Sequence, residues 1–189
     1  MIGQKGETAG TLQATVTRLE MTHPPSAYPP APMGEPLAVM RCRSMPLHYY
    51  RYLYDRVGRK WHWTGAFHLS DAELEAQLKD EKTDIRVLYL DGAPAGYFEI
   101  CRLRPEETAL VHFGLMEHAI GRGLSRWFLG EAIRAGWETG PQKLSVETCT
   151  LDHPAALGLY QKMGFEPVLR REDSVRKLSP ADRKNALYR

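Results

Sequence analysis

The chain has few cysteines, and those it has are far apart. Three occur in 189 residues, at Cys42, Cys101 and Cys149. An odd number at these distances matches neither a disulfide framework nor the paired ligands of a zinc site. We therefore expect a protein of a reducing compartment, the cytoplasm, and the sequence implies no metal.

An excess of one charge and a long apolar run are also lacking. The 25 Lys and Arg residues nearly balance the 23 Asp and Glu residues, and the net charge is +2. This balance excludes the strong basic field of proteins that bind nucleic acid or an anionic membrane. No stretch approaches the roughly 20 apolar residues of a membrane span, and the start, MIGQKGETAGTLQATV, lacks the apolar centre of a signal peptide. We expect a soluble protein.

What the chain does contain is typical of one folded domain. Hydrophobic residues make up 43% and charged residues 25% of the sequence, which is ordinary for a globular protein. We predict a loose N-terminus at 1–10, a single domain at 11–175 and a C-terminal tail at 176–189. Residues 23–36 hold six of the 13 prolines and are predicted to form an extended connector.

Apolar periodicity and turn residues predict a mixture of strands and helices. One helix ends near Gly58, and a second begins with a capping box formed by Ser70 and Glu73. Strands are expected in LQATVTRLEM, IRVLYL, AGYFEICRL, ALVHFGLM, KLSVETCT and EPVLRRE. This order indicates an α/β (mixed α+β) fold.

Two more helices are predicted in the C-terminal half. The first is SRWFLGEAIRAGW, which follows a glycine-rich turn. The second runs from about Pro154 to Met163, with Asp152 or His153 as its N-cap and Gly164 after its end.

Two glycines, Gly121 and Gly123, lie where the strand ALVHFGLM is followed by a helix. Glycine lets amide N–H groups approach a ligand closely, and a helix N-terminus adds positive partial charge, so the pattern is typical of a phosphate site. Ordinary turn chemistry explains it equally well. The dinucleotide fingerprint G-x-G-x-x-G fails at Arg126, and no Gly-Lys-Ser/Thr of a Walker loop is present.

The segments around this turn resemble the GNAT superfamily of acyl-CoA-dependent N-acyltransferases. The family's pyrophosphate loop, [QR]-x-x-G-x-[GA], resembles residues 120–125 (IGRGLS), with Ile120 and Ser125 at the two positions that depart from it. A second family signature, Asn-x-x-Ala-x-x-Leu-Tyr-x-x-x-Gly-Phe, resembles residues 153–165, where His153 replaces Asn. The resemblance extends over roughly residues 85 to 170.

The resemblance implies a fold, a cofactor and a set of binding residues. The implied fold has a central, mainly antiparallel, splayed sheet flanked by helices. The implied cofactor is acetyl-CoA, with its pyrophosphate on the amides of 121–125 and its thioester against the strand backbone at 113–116. The implied cofactor-binding residues are Gly114, Leu115, Met116, Gly121, Arg122, Gly123, Leu124, Ser125, His153 and Ala156.

Three side chains are candidates for proton transfer. Tyr160 matches the family's tyrosine that protonates the leaving thiolate, and a core tyrosine is its alternative. Glu99 interrupts the uncharged run AGYFEIC on a strand beside the implied thioester strand, and its carboxylate could deprotonate the amine. His112 is the second candidate base. For Glu99 and His112 the alternatives are a solvated strand face or a satisfied buried group.

Six aromatic residues lie between positions 49 and 63, and packing in the core or at the surface explains them better than a cage around an amine. They are Tyr49, Tyr50, Tyr52, Tyr54, Trp61 and Trp63.

The expected reaction is transfer of an acetyl group from acetyl-CoA to a primary amine. The acceptor stays open between a polyamine or aminoglycoside, an amino acid and a protein amine, and a homodimer is compatible with the sequence. Two other classes also stay open. One is a sensor or interaction module that binds acyl-CoA without turnover, and the other is a structural domain whose glycine turn binds nothing.

Overall fold

The computed structural model describes residues 10–189, in which seven strands form one sheet of order β2-β3-β4-β5-β6-β1-β7. All neighbouring strands pair antiparallel except β5 and β6, which run parallel. The strands are β1 (Thr11–Met21), β2 (Leu37–Arg41), β3 (Thr83–Leu90), β4 (Ala93–Arg104), β5 (Glu107–Leu115), β6 (Lys143–Cys149) and β7 (Glu166–Arg176). The predicted mixed α/β fold with a mainly antiparallel sheet is confirmed.

Six α-helices flank the sheet within the described residues. They are α1 (Leu47–Gly58), α2 (Gly65–His68), α3 (Asp71–Lys79), α4 (Leu124–Trp137), α5 (Ala156–Lys162) and α6 (Pro180–Leu187). The capping box at the start of α3 is confirmed, because Ser70 Oγ accepts from the Glu73 amide at 3.3 Å and Glu73 Oε2 accepts from the Ser70 amide at 2.8 Å. These two bonds satisfy amides that a helix start otherwise leaves unpaired.

The two faces of the sheet carry separate hydrophobic cores. One core packs the sheet against α4 and α5 and includes Phe98, Phe128 and Val146. The other packs it against α1, α2, α3 and α6 and includes Tyr50 and Leu53. Apolar burial is the main favourable term in folding, so these two layers hold the helices and the cleft residues between them in place.

The sheet splits between β5 and β6. The two strands pair only from Glu107–Lys143 to Leu110–Val146, although both continue further. On the other side of β5, Glu99 pairs with His112 and Ile100 with Leu110, so Val111 is an extra, bulged residue. A bulge bends a strand, and here it coincides with the point where β5 leaves β6. The result is the predicted splay.

Several details differ from the sequence prediction. Strand β2 and helices α2 and α6 were not expected. The segment 176–189, predicted as a tail, contains α6, and Ala186 of this helix is only 1% exposed. The start of the fifth helix was predicted wrongly. Its N-cap is Ala155. Asp152 Oδ2 accepts from Thr148 Oγ1 at 2.8 Å and from the Cys149 amide at 2.9 Å, and His153 Nδ1 accepts from the Ala155 amide at 3.1 Å, so neither side chain bonds to an amide of the helix itself.

The proline-rich connector contains neither helix nor strand and packs along α4. The Arg134 guanidinium lies 4.5 Å from the centre of the Tyr28 ring, and Pro29 contacts the position where a side chain on Gly130 would lie. Of the predicted loose N-terminus, residues 1–9 lie outside the described residues, and the Gly10 carbonyl accepts from the Lys177 amide at 2.9 Å.

Candidate active site

The gap between β5 and β6 opens into a cavity of about 590 Å³. Its walls come from the glycine turn and the start of α4, from the splayed ends of β5 and β6, and from α5. The remaining walls come from the end of α1 with the segment 61–63, and from the neighbouring strands β1 and β7. The cavity therefore reaches from the glycine turn, past the splayed ends of β5 and β6, to β1 and β7.

The glycine turn has the geometry of an open anion site. Gly121 and Gly123 have φ of 83° and 75°, and a Cβ added at either position would meet no atom within 4 Å. Gly123 is the N-cap of α4, and no described side chain caps this helix. The first amides of α4 are thus free to bind a ligand, and a helix N-terminus favours a negative one. A pyrophosphate fits these residues.

The structure places most of the predicted cofactor residues in the cavity wall. Those that line it are Gly114, Leu115, Gly121, Gly123, Leu124, Ser125, His153 and Ala156. Arg122 does not, because its guanidinium pairs with Glu35 of the connector at 2.6 Å. Met116 is also elsewhere: its side chain is 1% exposed in the core under α1, and its amide donates to the Ala95 carbonyl.

Tyr160 lies on α5 with its ring in the core and on the cavity wall. The ring is 7% exposed and meets Phe113 and Phe165 edge-on, with centroids 6.4 Å and 6.0 Å away. Burial raises the pKa of Tyr160 well above its ordinary value, and the charge of Asp152 adds to this. None of the described residues hydrogen-bonds to the hydroxyl. The group therefore keeps its proton and has a free O–H.

Glu99 and His112 lie opposite each other across β4 and β5, and His112 Nδ1 is 3.1 Å from Glu99 Oε2. Glu99 is 1% exposed and accepts from the Tyr50 hydroxyl at 2.6 Å and from Gln77 Nε2 at 3.1 Å. Burial alone would raise the pKa of Glu99, but the hydrogen bonds from His112, Tyr50 and Gln77 hold it below its ordinary value. The carboxylate is charged, fully bonded and out of the cavity.

His112 is the member of this pair that lines the cavity. Its side chain is 20% exposed, and the rings of Tyr54 and Trp63 lie 5.2 Å and 5.0 Å from the imidazole. Since Nδ1 faces a carboxylate, the hydrogen bond places the proton of the neutral ring on Nδ1. Nε2 is then the free lone pair, as a base requires.

Two contacts cross the cavity near these groups, and the sequence did not indicate either. Trp63 Nε1 donates to Asp152 Oδ1 at 3.3 Å, and the ring of Trp61 lies 5.0 Å from that of His153. Of the six aromatic residues expected to serve as core, Tyr54, Trp61 and Trp63 also line the cavity, whereas the other three do not. No local pattern could have identified Gln77, because it is one of several polar residues in α3.

Comparison with known proteins identifies the family of the chain. Residues 47–165 match the profile described as the Acetyltransferase (GNAT) family. The chain belongs to this family. Strands β1 and β7 lie outside the matched residues, so part of the cavity wall of this GNAT protein comes from outside the match. No curated protein matches the chain in sequence.

Solved structures share the fold at low identity. One is an aminoglycoside N-acetyltransferase in complex with CoA, with 20% identity, a TM-score of 0.54, and coverage of 75% of this chain and 95% of that one. A tandem GNAT protein from the clavulanic acid biosynthesis pathway has 16% identity and a TM-score of 0.56, covering 87% of this chain and 55% of its own. A functionally unknown protein from Staphylococcus epidermidis has 11% identity and a TM-score of 0.56 at 90% and 64% coverage.

The GNAT chain thus spans between half and two thirds of the last two proteins' lengths. At these identities the similarity shows the fold alone. In the part of the chain that the structure describes, no helix is both long enough and apolar enough to span a membrane.

Proposed function

We propose that this GNAT protein transfers an acetyl group from acetyl-CoA to a primary amine. The observation that carries the proposal is a single cavity whose wall includes an open anion site, the imidazole of His112 with Glu99 bonded behind it, and Tyr160. Acyl transfer from CoA needs these parts together: a place for phosphates, a base for the amine and a donor for the departing sulfur.

The residues present fit acetyl-CoA, which when bound supplies an activated acyl thioester. The amides at Gly121, Gly123 and the start of α4 would hold the pyrophosphate. Beyond Leu110, the edge of β5 that faces β6 has no strand partner, so its N–H and C=O groups are free to bind the chain that leads to the thioester. Ser125 and Ala156 leave room at the wall because their side chains are small.

We assign the base to His112 and the orienting carboxylate to Glu99. Nε2 of His112 takes a proton from the acceptor's ammonium group, and the buried charge of Glu99 stabilises the imidazolium that forms. Glu99 cannot serve directly, because it lies out of the cavity with its oxygens already bonded. The order of the two candidates is thus the reverse of the sequence-based expectation.

Tyr160 is assigned as the donor to the leaving group. As the N–C bond forms and the C–S bond breaks, the sulfur gains negative charge, and the free O–H can stabilise it by donating a hydrogen bond or its proton. The proton balance closes because the ammonium group loses two protons: the first passes through His112 to solvent, and the second leaves the nitrogen as the C–S bond breaks and replaces the proton that Tyr160 gives to the sulfur.

Release of free CoA tests the proposal. The protein is incubated with acetyl-CoA and a broad panel of amines, and thiol release is measured together with acetyl-CoA binding by calorimetry. Amine-dependent release supports acyl transfer. Binding without release would make the protein a sensor, and the absence of both binding and a thermal shift would leave only a structural domain.

We also propose that the protein works in a reducing compartment, the cytoplasm. Cys42, Cys101 and Cys149 are all free thiols in the structure, and each is partly buried. Partly buried free thiols are stable where glutathione and thioredoxin keep them reduced.

A further inference from the structure

One part of the cavity wall is formed by β1, β6 and β7, which lie side by side in the sheet. Val16 of β1 pairs directly with Cys149 of β6 on one side and with Arg171 of β7 on the other. Direct partners share a face of the sheet, as do residues two positions apart in a strand. Glu147 and Asp173 are therefore on this face too, and both line the cavity.

This wall carries more negative than positive charge. Its carboxylates are Glu147, Asp152 and Asp173, and within residues 10–189 its one Lys or Arg side chain is Arg171. With the histidines of the wall neutral, three carboxylates and one guanidinium leave a formal charge of −2. A cleft lined by one sign of charge concentrates ligands of the opposite sign.

The charges beside the wall do not cancel this excess. Arg18 lies 3.9 Å from Glu147 and also pairs with Glu107. Arg18 and Lys143 share Glu20, at 3.0 Å and 2.9 Å. The two cations of this network are matched by Glu20 and Glu107, so the wall stays negative.

Arg171 neutralises Glu147 and not Asp173. Glu147 accepts from both terminal nitrogens of Arg171, at 2.8 Å and 2.7 Å. Asp173 lies 3.9 Å from the same guanidinium and accepts a hydrogen bond from the Ser174 amide at 2.7 Å. Its side chain is 51% exposed. Since a carboxylate can accept about four hydrogen bonds, Asp173 can still bind a cation.

Asp152 is held by neutral donors alone. Its Oδ2 accepts from Thr148 Oγ1 at 2.8 Å and from the Cys149 amide at 2.9 Å, and its Oδ1 accepts from Trp63 Nε1 at 3.3 Å. No Lys or Arg side chain in the described part of the chain pairs with this carboxylate. Oδ1 keeps a lone pair for a further donor. Asp152 is therefore a second carboxylate of the wall that lacks a cation.

Asp152 also lies close to the proposed reaction centre. The Trp63 ring, which donates to it, is 5.0 Å from the imidazole of His112. Burial first and the charge of Asp152 second raise the pKa of Tyr160. The Tyr160 side chain lines the same cavity, is 7% exposed, and has a hydroxyl with no hydrogen-bond partner among the described residues. A buried hydroxyl without a partner beside a carboxylate without a cation indicates a binding site for a polar, positively charged group.

We infer that the acceptor is a small molecule with at least two ammonium groups, one bound beside Asp152 and His112 and the other beside Asp173. This inference rests on the proposed acyl transfer. The first group is the one that His112 deprotonates, and the ring of Trp63 adds to its attraction. The second group keeps its charge and neutralises the carboxylate on β7. A dication matches the formal charge of the wall, whereas a carboxylate on the acceptor would be repelled by it.

Three amines with the same chain test the inference. 1,5-Diaminopentane, hexylamine and 6-aminohexanoate share one ammonium group and a pentamethylene chain, and they end in an ammonium, a methyl and a carboxylate group. We expect kcat/KM for 1,5-diaminopentane to exceed that for hexylamine by at least about fivefold, and that for 6-aminohexanoate by a larger factor. A smaller advantage over hexylamine, or none over 6-aminohexanoate, contradicts the inference while leaving acyl transfer intact.

Two substitutions on β7 change the charge of the wall in opposite directions. Asp173→Asn removes a negative charge, so the preference for 1,5-diaminopentane over hexylamine should fall by about threefold or more. Arg171→Gln removes the cation, so the same preference should rise. Glu172→Gln is the matched control, because Glu172 lies between these residues on the opposite face of the strand and outside the cavity wall. An unchanged preference in folded Asp173→Asn protein contradicts the placement of the second ammonium group.

Asp152→Asn tests the placement of the first ammonium group. The variant keeps an oxygen acceptor but loses the charge, so KM should rise by about tenfold for both 1,5-diaminopentane and hexylamine, with a smaller change in kcat. Asp152→Glu restores the charge and should recover part of the affinity. A parent-like KM in Asp152→Asn contradicts this placement.

Direct binding decides the inference if no amine is turned over. 1,5-Diaminopentane and hexylamine are titrated calorimetrically into the protein with CoA present, and the titrations are repeated with Asp173→Asn. Tighter binding of the diamine that is lost in Asp173→Asn supports the inference even though acyl transfer fails. Equal affinity, tighter binding of hexylamine, a diamine preference that persists in Asp173→Asn, or no binding of either amine overturns it.

Discussion

At the scale of single residues, Glu99 carries a buried negative charge, and His112 is the member of the pair that contacts the cavity. The carboxylate is buried and held by three hydrogen-bond donors, whereas the imidazole alone reaches the cavity. Burying an ionised group costs free energy unless hydrogen bonds replace its hydration, and Glu99 accepts three of them. The pair can therefore keep one tautomer of His112 without exposing a negative charge to the acceptor.

Replacing the base should change the pH dependence of the reaction. His112→Gln cannot accept a proton, so kcat/KM at neutral pH should fall by roughly 10²- to 10⁴-fold and recover at alkaline pH, where the amine deprotonates unaided. Glu99→Gln keeps an acceptor for the Nδ1 proton but removes the charge, so its loss should be smaller.

The measurement is a pH–rate profile of kcat/KM for both variants. The control is His118→Gln, which changes an exposed histidine outside the cavity wall and should retain the parent profile. A parent-like profile in His112→Gln would remove this residue from the mechanism, and a larger loss in Glu99→Gln would return the base to the carboxylate.

Tyr160→Phe should separate catalysis from stability. The variant loses only the hydroxyl, so turnover should fall by roughly ten- to ten-thousand-fold while acetyl-CoA affinity changes little. The melting temperature should stay near that of the parent, since no described residue bonds to this hydroxyl. Steady-state kinetics and thermal unfolding on the one variant measure both quantities.

Tyr49→Phe is the matched control for that variant. Its hydroxyl lies 3.0 Å from that of Tyr89 and outside the cavity wall, so its loss should cost about 1 kcal/mol of stability and leave turnover unchanged. Full turnover in Tyr160→Phe would defeat the assignment of the proton donor, although the fold and the anion site would stand.

Among the elements, β5 and α4 together create the cleft. In a regular strand Leu110 and Phe113 would face opposite sides, but the extra residue Val111 puts both on the α4 side. His112 is turned to the α1 side by the same bulge, toward Glu99. The helix that follows then presents its uncapped start at the open edge of β5.

Gly123→Asp tests the start of α4 as the phosphate site. A carboxylate there would repel the pyrophosphate at close range, so CoA affinity should fall by about a hundredfold or more in a calorimetric titration. Gly140→Asp is the control, because Gly140 also has a positive φ, 66°, but lies outside the cavity wall. Equal CoA affinity in both folded variants would show that the amides of this turn do not bind CoA.

At the scale of the whole molecule, strand β1 contributes both to the hydrophobic core and to the wall of the cavity. It is inserted between β6 and β7, buries Leu19 completely in the core under α4, and supplies Val16 to the cavity wall on the other face. A segment far from the proposed catalytic residues in sequence is therefore part of both the sheet and the cavity wall.

Substitutions in β1 should have unequal effects on stability. Leu19→Ala removes a fully buried side chain and should lower the free energy of unfolding by about 2–5 kcal/mol, measured by urea denaturation. Gln13→Ala changes an exposed residue of the same strand and should stay within about 0.5 kcal/mol. A decrease in the free energy of unfolding below about 1 kcal/mol for Leu19→Ala would mean that the packing of β1 contributes little to the stability of the protein.

The sequence by itself determined the features whose parts are close together in the chain. The capping box of Ser70 and Glu73, the hairpin of β3 and β4, the glycine turn before α4 and the signature at 153–165 each lie within a few residues or one supersecondary unit. Local propensity, capping and turn chemistry decide such features, so they can be predicted before any tertiary contact is known.

Only the tertiary structure decided how distant residues meet. The hydrogen bond from His112 to Glu99 depends on the bulge at Val111, and the pairing of Arg122 with Glu35 joins residues that are 87 positions apart. The hydrogen bond from Trp63 to Asp152 likewise joins residues that are 89 positions apart. Strand register and side-chain packing set these contacts, and both follow from interactions across the whole sheet that no local pattern encodes.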